Sequence, residues 1–78
     1  MKVKELLEFI AKALVDHPDD VHVNQQEDEH SIKLELRVAA ADMGKVIGKQ
    51  GRIAKAIRTV VKAAAAAEKK RVFVEIVD

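Results

Sequence analysis

A chain of 78 residues has room for one domain and one modest core, which leaves no second domain to close a deep substrate cleft. Apolar residues at 49% and charged residues at 35% suit a folded globule rather than a disordered tail. The absence of cysteine removes disulfides and thiolate metal sites, and a net charge of +1 gives no preference for a polyanion by itself.

Val3, Leu6, Leu7, Ile10 and Leu14 recur at helical spacing, and Pro18 predicts an end near Asp16 or His17. Glu5, Glu8 and Asp16 interrupt this segment too often for a secretory leader or a membrane span, so a cytoplasmic protein with no membrane partner is expected. From Val21 the period becomes two. Val21 and Val23, then Ile32, Leu34, Leu36 and Val38, alternate with polar residues and predict two half-buried strands flanking the polar segment QEDEH. Ala39 to Ile47 lacks that alternation; Asp42 fits the first turn of a short helix and Gly48 its left-handed exit.

A longer helix follows Gly51, with Ile53, Ile57, Val60, Val61 and Ala64 as its expected apolar stripe and Lys69, Lys70 and Arg71 at the negative end of its dipole. Val72, Val74 and Ile76 alternate with Phe73 and Glu75 in a last strand, leaving Phe73 and Val77 on an uncovered face as first candidates for contact between copies. The expectation is a single α+β domain over residues 1–78, in the order αββααβ, with three helices covering one face of a three-stranded sheet.

Charge is uneven along this frame. Lys45, Lys49, Arg52, Lys55, Arg58 and Lys62 occupy an interval without one acid, around the stretch VIGKQGRIAKAIR. A glycine-bounded turn between two helices presents the unpaired N–H groups of the following first turn, and a backbone without Cβ lets an anion approach closely. Lys55, Arg58 and Lys62, at intervals of three and four, add a basic ridge with no compensating acid one turn away. The spacing does not fit a Walker or a dinucleotide-binding glycine motif, which need GxxxxGK[ST] or GxGxxG.

VIGKQGRIAKAIR resembles the signature of the KH domain: an aliphatic pair, GxxG, and an aliphatic residue two positions on. The element order is similar to the bacterial type II variant of that fold, and DMGKVIGKQGRIAKAIRTVV resembles the small stand-alone KhpA family. The resemblance implies binding of single-stranded RNA, with Gly48, Lys49, Gln50 and Gly51 on the backbone, Lys45, Arg52, Lys55 and Arg58 adding charge, and Val46, Ile47, Ile53 and Ile57 lining or supporting a groove for bases. It further implies a homodimer, a larger KhpB (Jag)-type KH partner, and a role as RNA chaperone or post-transcriptional regulator tied to cell envelope growth and cell length. Aliphatic recognition also suits a chain with no Trp or Tyr and only Phe9 and Phe73.

Other constellations point elsewhere less strongly. His17, Asp19, Asp20 and His22 cluster around Pro18, but such a turn is ordinarily solvated, and no metal or cofactor is expected. Ser31 beside His30 invites a catalytic reading, yet neighbouring strand residues face opposite ways and no third member is apparent, so no enzyme is expected. Two alternatives stand beside RNA regulation: an obligate protein-interaction subunit with little RNA binding of its own, and a ribosome-assembly factor.

Overall fold

A computed structural model describes residues 2–77, with the side chain of Lys49 outside the described set. Helix α1 spans Val3–Leu14, strands β1 and β2 span His22–Glu27 and Ser31–Arg37, helices α2 and α3 span Met43–Ile47 and Arg52–Ala66, and strand β3 spans Arg71–Val77. Single 3-10 turns precede β1, α2 and α3. The order αββααβ is as the periodicities predict, and the three helices lie on one face of a sheet ordered β1-β2-β3.

β1 and β2 pair antiparallel, with Val23 opposite Leu36; β2 and β3 pair parallel, with Leu34 opposite Val74. The parallel pairing requires a crossover, and α2, the glycine turn and α3 supply it. The loop of interest therefore sits inside the connection that closes the fold. Ile32, Leu34 and Leu36 of the central strand meet Val3, Leu7 and Ala11 of α1, Val46 of α2, and Ile57, Val61 and Ala65 of α3 in one buried cluster.

Three local expectations are corrected. α1 ends at Leu14, two or three residues early, because the N–H groups of Asp16 and His17 that would extend it donate to the Asp42 carboxylate, at 3.3 and 3.0 Å. β1 continues through Gln25, Gln26 and Glu27, because Asp28 closes the hairpin tightly: its Oδ1 accepts from the N–H of His30 and Ser31, and its Oδ2 from Ser31 Oγ. Lys70 does not finish the α3 dipole but reaches Glu27, and this hydrogen bond holds the Glu27 carboxyl below its ordinary range; Lys69 turns the chain with a φ of 58°.

The buried seam of α3 also differs from the predicted stripe. Ala54, Ile57, Val61 and Ala65 are buried, Ile53 is partly covered, and Val60 is 48% exposed. Val60 lies about 100° around the helix from Val61, which sets it beside the seam of Ala54, Ile57, Val61 and Ala65 and not in it.

Candidate nucleic-acid interface

The turn between α2 and α3 is built from positive φ angles. Gly48 (φ 69°, ψ −179°), Gln50 (φ 56°) and Gly51 (φ 73°, ψ 12°) all lie where L side chains are strained. Gly48 is not the ordinary left-handed exit that the sequence suggests, since its extended ψ belongs to a region open essentially to glycine alone. The two glycines serve different ends. A Cβ on Gly48 would fall 2.5 Å from Ile53 Cγ1, whereas a Cβ on Gly51 would meet nothing within 4 Å. Gly48 lets Ile53 fold back onto the turn, and Gly51 supplies only the backbone angle.

Gly48 donates to the Gly44 carbonyl at 2.8 Å, which ties the turn to α2, and Gly51 stands at the N-cap of α3 with no side-chain cap. The first-turn N–H groups of α3 are thus left for solvent or an anion. Arg52, Lys55, Arg58 and Lys62 follow, and among the described residues no carboxylate lies within ion-pair distance of any of them.

The structure separates residues that the sequence grouped. Lys55, Arg58 and Lys62 share the side of α3 toward β3, where Arg58 Nε donates to the Val74 carbonyl at 3.2 Å. Arg52 lies on the opposite flank, at the edge of a groove between α1 and α3. Lys45 is not an uncompensated cation, because its Nζ is 3.2 Å from the Asp16 carboxylate. Val46 is fully buried and Ile57 nearly so, and both act through packing; Ile47 is 39% exposed and Ile53 partly so, which leaves them on the surface beside the turn. Lys49 is expected inside the turn, but its side chain lies outside the described residues.

Two features escaped sequence reading. One is Asp42, buried to 1% exposure at the start of α2. It holds the chain just beyond α1 and does not cap its own helix, accepting from the N–H groups of Asp16 and His17 and from His17 Nδ1 at 2.9 Å. Burial works to raise its carboxyl, but the His17 side chain and the two N–H groups outweigh burial and hold it below its ordinary value. His17 is raised in turn, chiefly by that hydrogen bond and then by the charge of Asp42. With the Lys45–Asp16 pair beside it, this contact fixes α2 and the turn against the end of α1. It also occupies His17, one of the four turn residues weighed as metal ligands.

The second feature is the groove between α1 and α3, about 480 Å³ in volume, where Phe9, Leu14 and Val60 are exposed beside Leu6, Ile10 and Ile53. The signal was present in the sequence, since Phe9 and Val60 each stand one position off a buried seam. Only the packing of α1 beside α3 brings them together.

Comparison with known proteins bears on this geometry. A family model described as KhpA/KhpB, KH domain, matches residues 4–76. A protein named RNA-binding protein KhpA from Clostridium perfringens is 71% identical over 75 residues, covering 96% of this chain and all of the relative. Proteins of the same name from Halalkalibacterium halodurans and Listeria monocytogenes are 60% and 49% identical, each over 97% of this chain and all of its own length. Among solved structures, Era in complex with MgGDPNP and nucleotides 1506–1542 of 16S ribosomal RNA superposes with a TM-score of 0.70 at 21% identity, over 95% of this chain and 28% of Era. That likeness is one of fold.

Proposed function

The chain belongs to the KhpA/KhpB KH-domain family, and from that premise we propose that it binds single-stranded RNA without catalysing a reaction, through the turn Gly48 to Gly51. The observation that carries the proposal is the turn itself: two glycines and Gln50 at positive φ open an uncapped helix whose next four cations have no described acid within ion-pair distance. Such a surface accepts a phosphodiester backbone at the helix N-terminus, with Ile47 and Ile53 beside it for bases. The relatives' name supports the same reading.

Within that reading the chain is an RNA chaperone or post-transcriptional regulator, acts as a homodimer and with a KhpB (Jag)-type partner, and bears on cell envelope growth and cell length. The apolar groove between α1 and α3 supports a subunit role, because three exposed large hydrophobics line one surface. The same groove favours the alternative of an obligate protein-interaction subunit with little RNA binding. Ribosome assembly stands as a further alternative; RNA crosslinked in cells, rRNA precursors or scattered transcripts, distinguishes it from regulation.

The test is binding of a short labelled single-stranded RNA across a salt series, with wild type set against the Lys49→Asp, Gln50→Asp double variant after melts establish that both fold. About three neutralised phosphates give a slope of log K against log salt near −2. Two carboxylates in the turn repel phosphate without touching the core, so binding is expected to vanish in the variant. Equal binding by both proteins, or by neither, gives first place to the subunit reading.

A further inference from the structure

The outer strand β3 is flanked on its α3 side by two adjoining clefts. Arg58, Lys62, Val72, Phe73 and Val74 line one; Lys62, Ala66, Lys70, Arg71, Val72 and Phe73 line the other. Phe73 borders both and is 56% exposed. Neither cleft is lined by an acid, and with Lys70 engaged by Glu27 the charge comes from Arg58, Lys62 and Arg71. On its other side Phe73 borders a cleft that includes Glu27 and Asp28. Phe73 thus stands between clefts lined by cations and no acid on the α3 side and a cleft of mixed charge, with Lys33 beside Glu27 and Asp28, on the other.

Strand propensity explains a phenylalanine in β3 but not one left half-uncovered, with Lys33 as its register partner and no aromatic neighbour. An exposed π-face beside several cations is how proteins hold single-stranded nucleic acid without reading its sequence: the base stacks and the backbone follows the charge. The basic side of α3 runs toward Phe73, rising about 10 Å between Lys55 and Lys62.

Resting on the reading of the turn as an RNA site, we propose that Phe73 is a stacking platform for a base beyond the nucleotides held at the turn, with Arg58, Lys62 and Arg71 on the adjoining phosphates. The chain then engages RNA at two places, the second on the border of Phe73 that carries cations and no acid. Recognition at the second place is by stacking, so it is tolerant of sequence and adds affinity only to RNA long enough to reach it.

The experiment uses two RNAs, a tetranucleotide of the length a KH turn holds and an oligouridine of roughly ten nucleotides. Phe73→Ala is expected to weaken the longer RNA by about 5- to 100-fold and to leave the tetranucleotide unchanged. Phe73→Trp places a lone tryptophan in a chain that has none, and its emission is expected to be quenched by the longer RNA alone. Unchanged affinity of Phe73→Ala for the longer RNA, or unquenched Phe73→Trp emission, overturns the proposal, as does a fall in molecular weight of Phe73→Ala that marks the ring as a contact between copies. The Lys49→Asp, Gln50→Asp variant separates the two readings. Full tetranucleotide binding by that variant removes the turn as the site, whereas a silent Phe73→Ala beside a disabled turn variant removes only the platform.

Discussion

The two flanks of α3 share one helix and differ in almost everything else. Toward α1, Ile53 and Val60 join Phe9 and Leu14 in an apolar groove; toward β3, Lys55, Arg58 and Lys62 line a basic seam. Ala54, Ile57, Val61 and Ala65 run between them and hold the helix to the core. A fifteen-residue helix divided this way presents two surfaces of opposite chemistry without competition for the same positions. A substitution on one flank should therefore be silent on the other, except where they meet at the turn.

The largest effect is expected at that meeting point. Gly48→Ala forces a Cβ against Ile53 at a backbone angle foreign to alanine, and should lower unfolding free energy by about 3 kcal/mol and disturb both flanks. Gly51→Ala carries only the strain of φ, about 1 kcal/mol. Urea unfolding of the two variants measures the difference; equal losses would mean that the contact with Ile53 is readily relieved.

Next comes the basic seam alone. Replacing Lys55 and Lys62 by Gln should make the salt slope of RNA binding shallower by about 1.4 while leaving the molecular weight unchanged. Val60→Asp is the mirror experiment. If the groove seats a second copy, the substitution should shift sedimentation toward the monomer, change monomer stability by less than about 0.5 kcal/mol, and keep the affinity for a tetranucleotide. A large loss of RNA binding by Val60→Asp would abolish the division between the flanks.

The smallest expected effect is that of pH on the contact that holds the turn in place. Asp42 is lowered on folding, so its contribution is present above its ordinary value and is lost as pH falls through the still lower folded one. His17 is raised, so its contribution is full below 6.5 and disappears as pH rises through the higher folded value. Thermal stability should be greatest between about pH 4 and 6.5 and decline slightly above that window. In His17→Gln the alkaline decline should vanish, and its persistence would assign the decline to another group.

Much of this was legible in the sequence, and the limits have a physical pattern. Changes of period from helical to alternating gave the element order, because burial on one face imposes period on each segment separately. The glycine turn was legible for the same local reason. What stayed hidden depends on residues far apart: the early end of α1 at Leu14 is caused by a carboxylate at position 42, and which of the neighbouring apolar residues of α3 form the buried seam is decided by the elements packed against it. Arg52 and Arg58 belong to one basic interval, yet neighbouring elements assign them to opposite flanks.

Arg58 has a consequence beyond nucleic acid. Arg71 N–H donates to the His30 carbonyl, so in the parallel ladder the backbone groups of Val72, Val74 and Ile76 point away from β2 toward the open edge of the sheet. A valine- and isoleucine-rich edge strand is a template on which a second, unfolding chain adds itself and starts a fibril. The guanidinium on the Val74 carbonyl occupies the middle acceptor of that edge with a charge, and five donors let one arginine guard it while still meeting a phosphate. Concentrated Arg58-substituted protein, free of RNA, is where loss of that guard would become visible as aggregation.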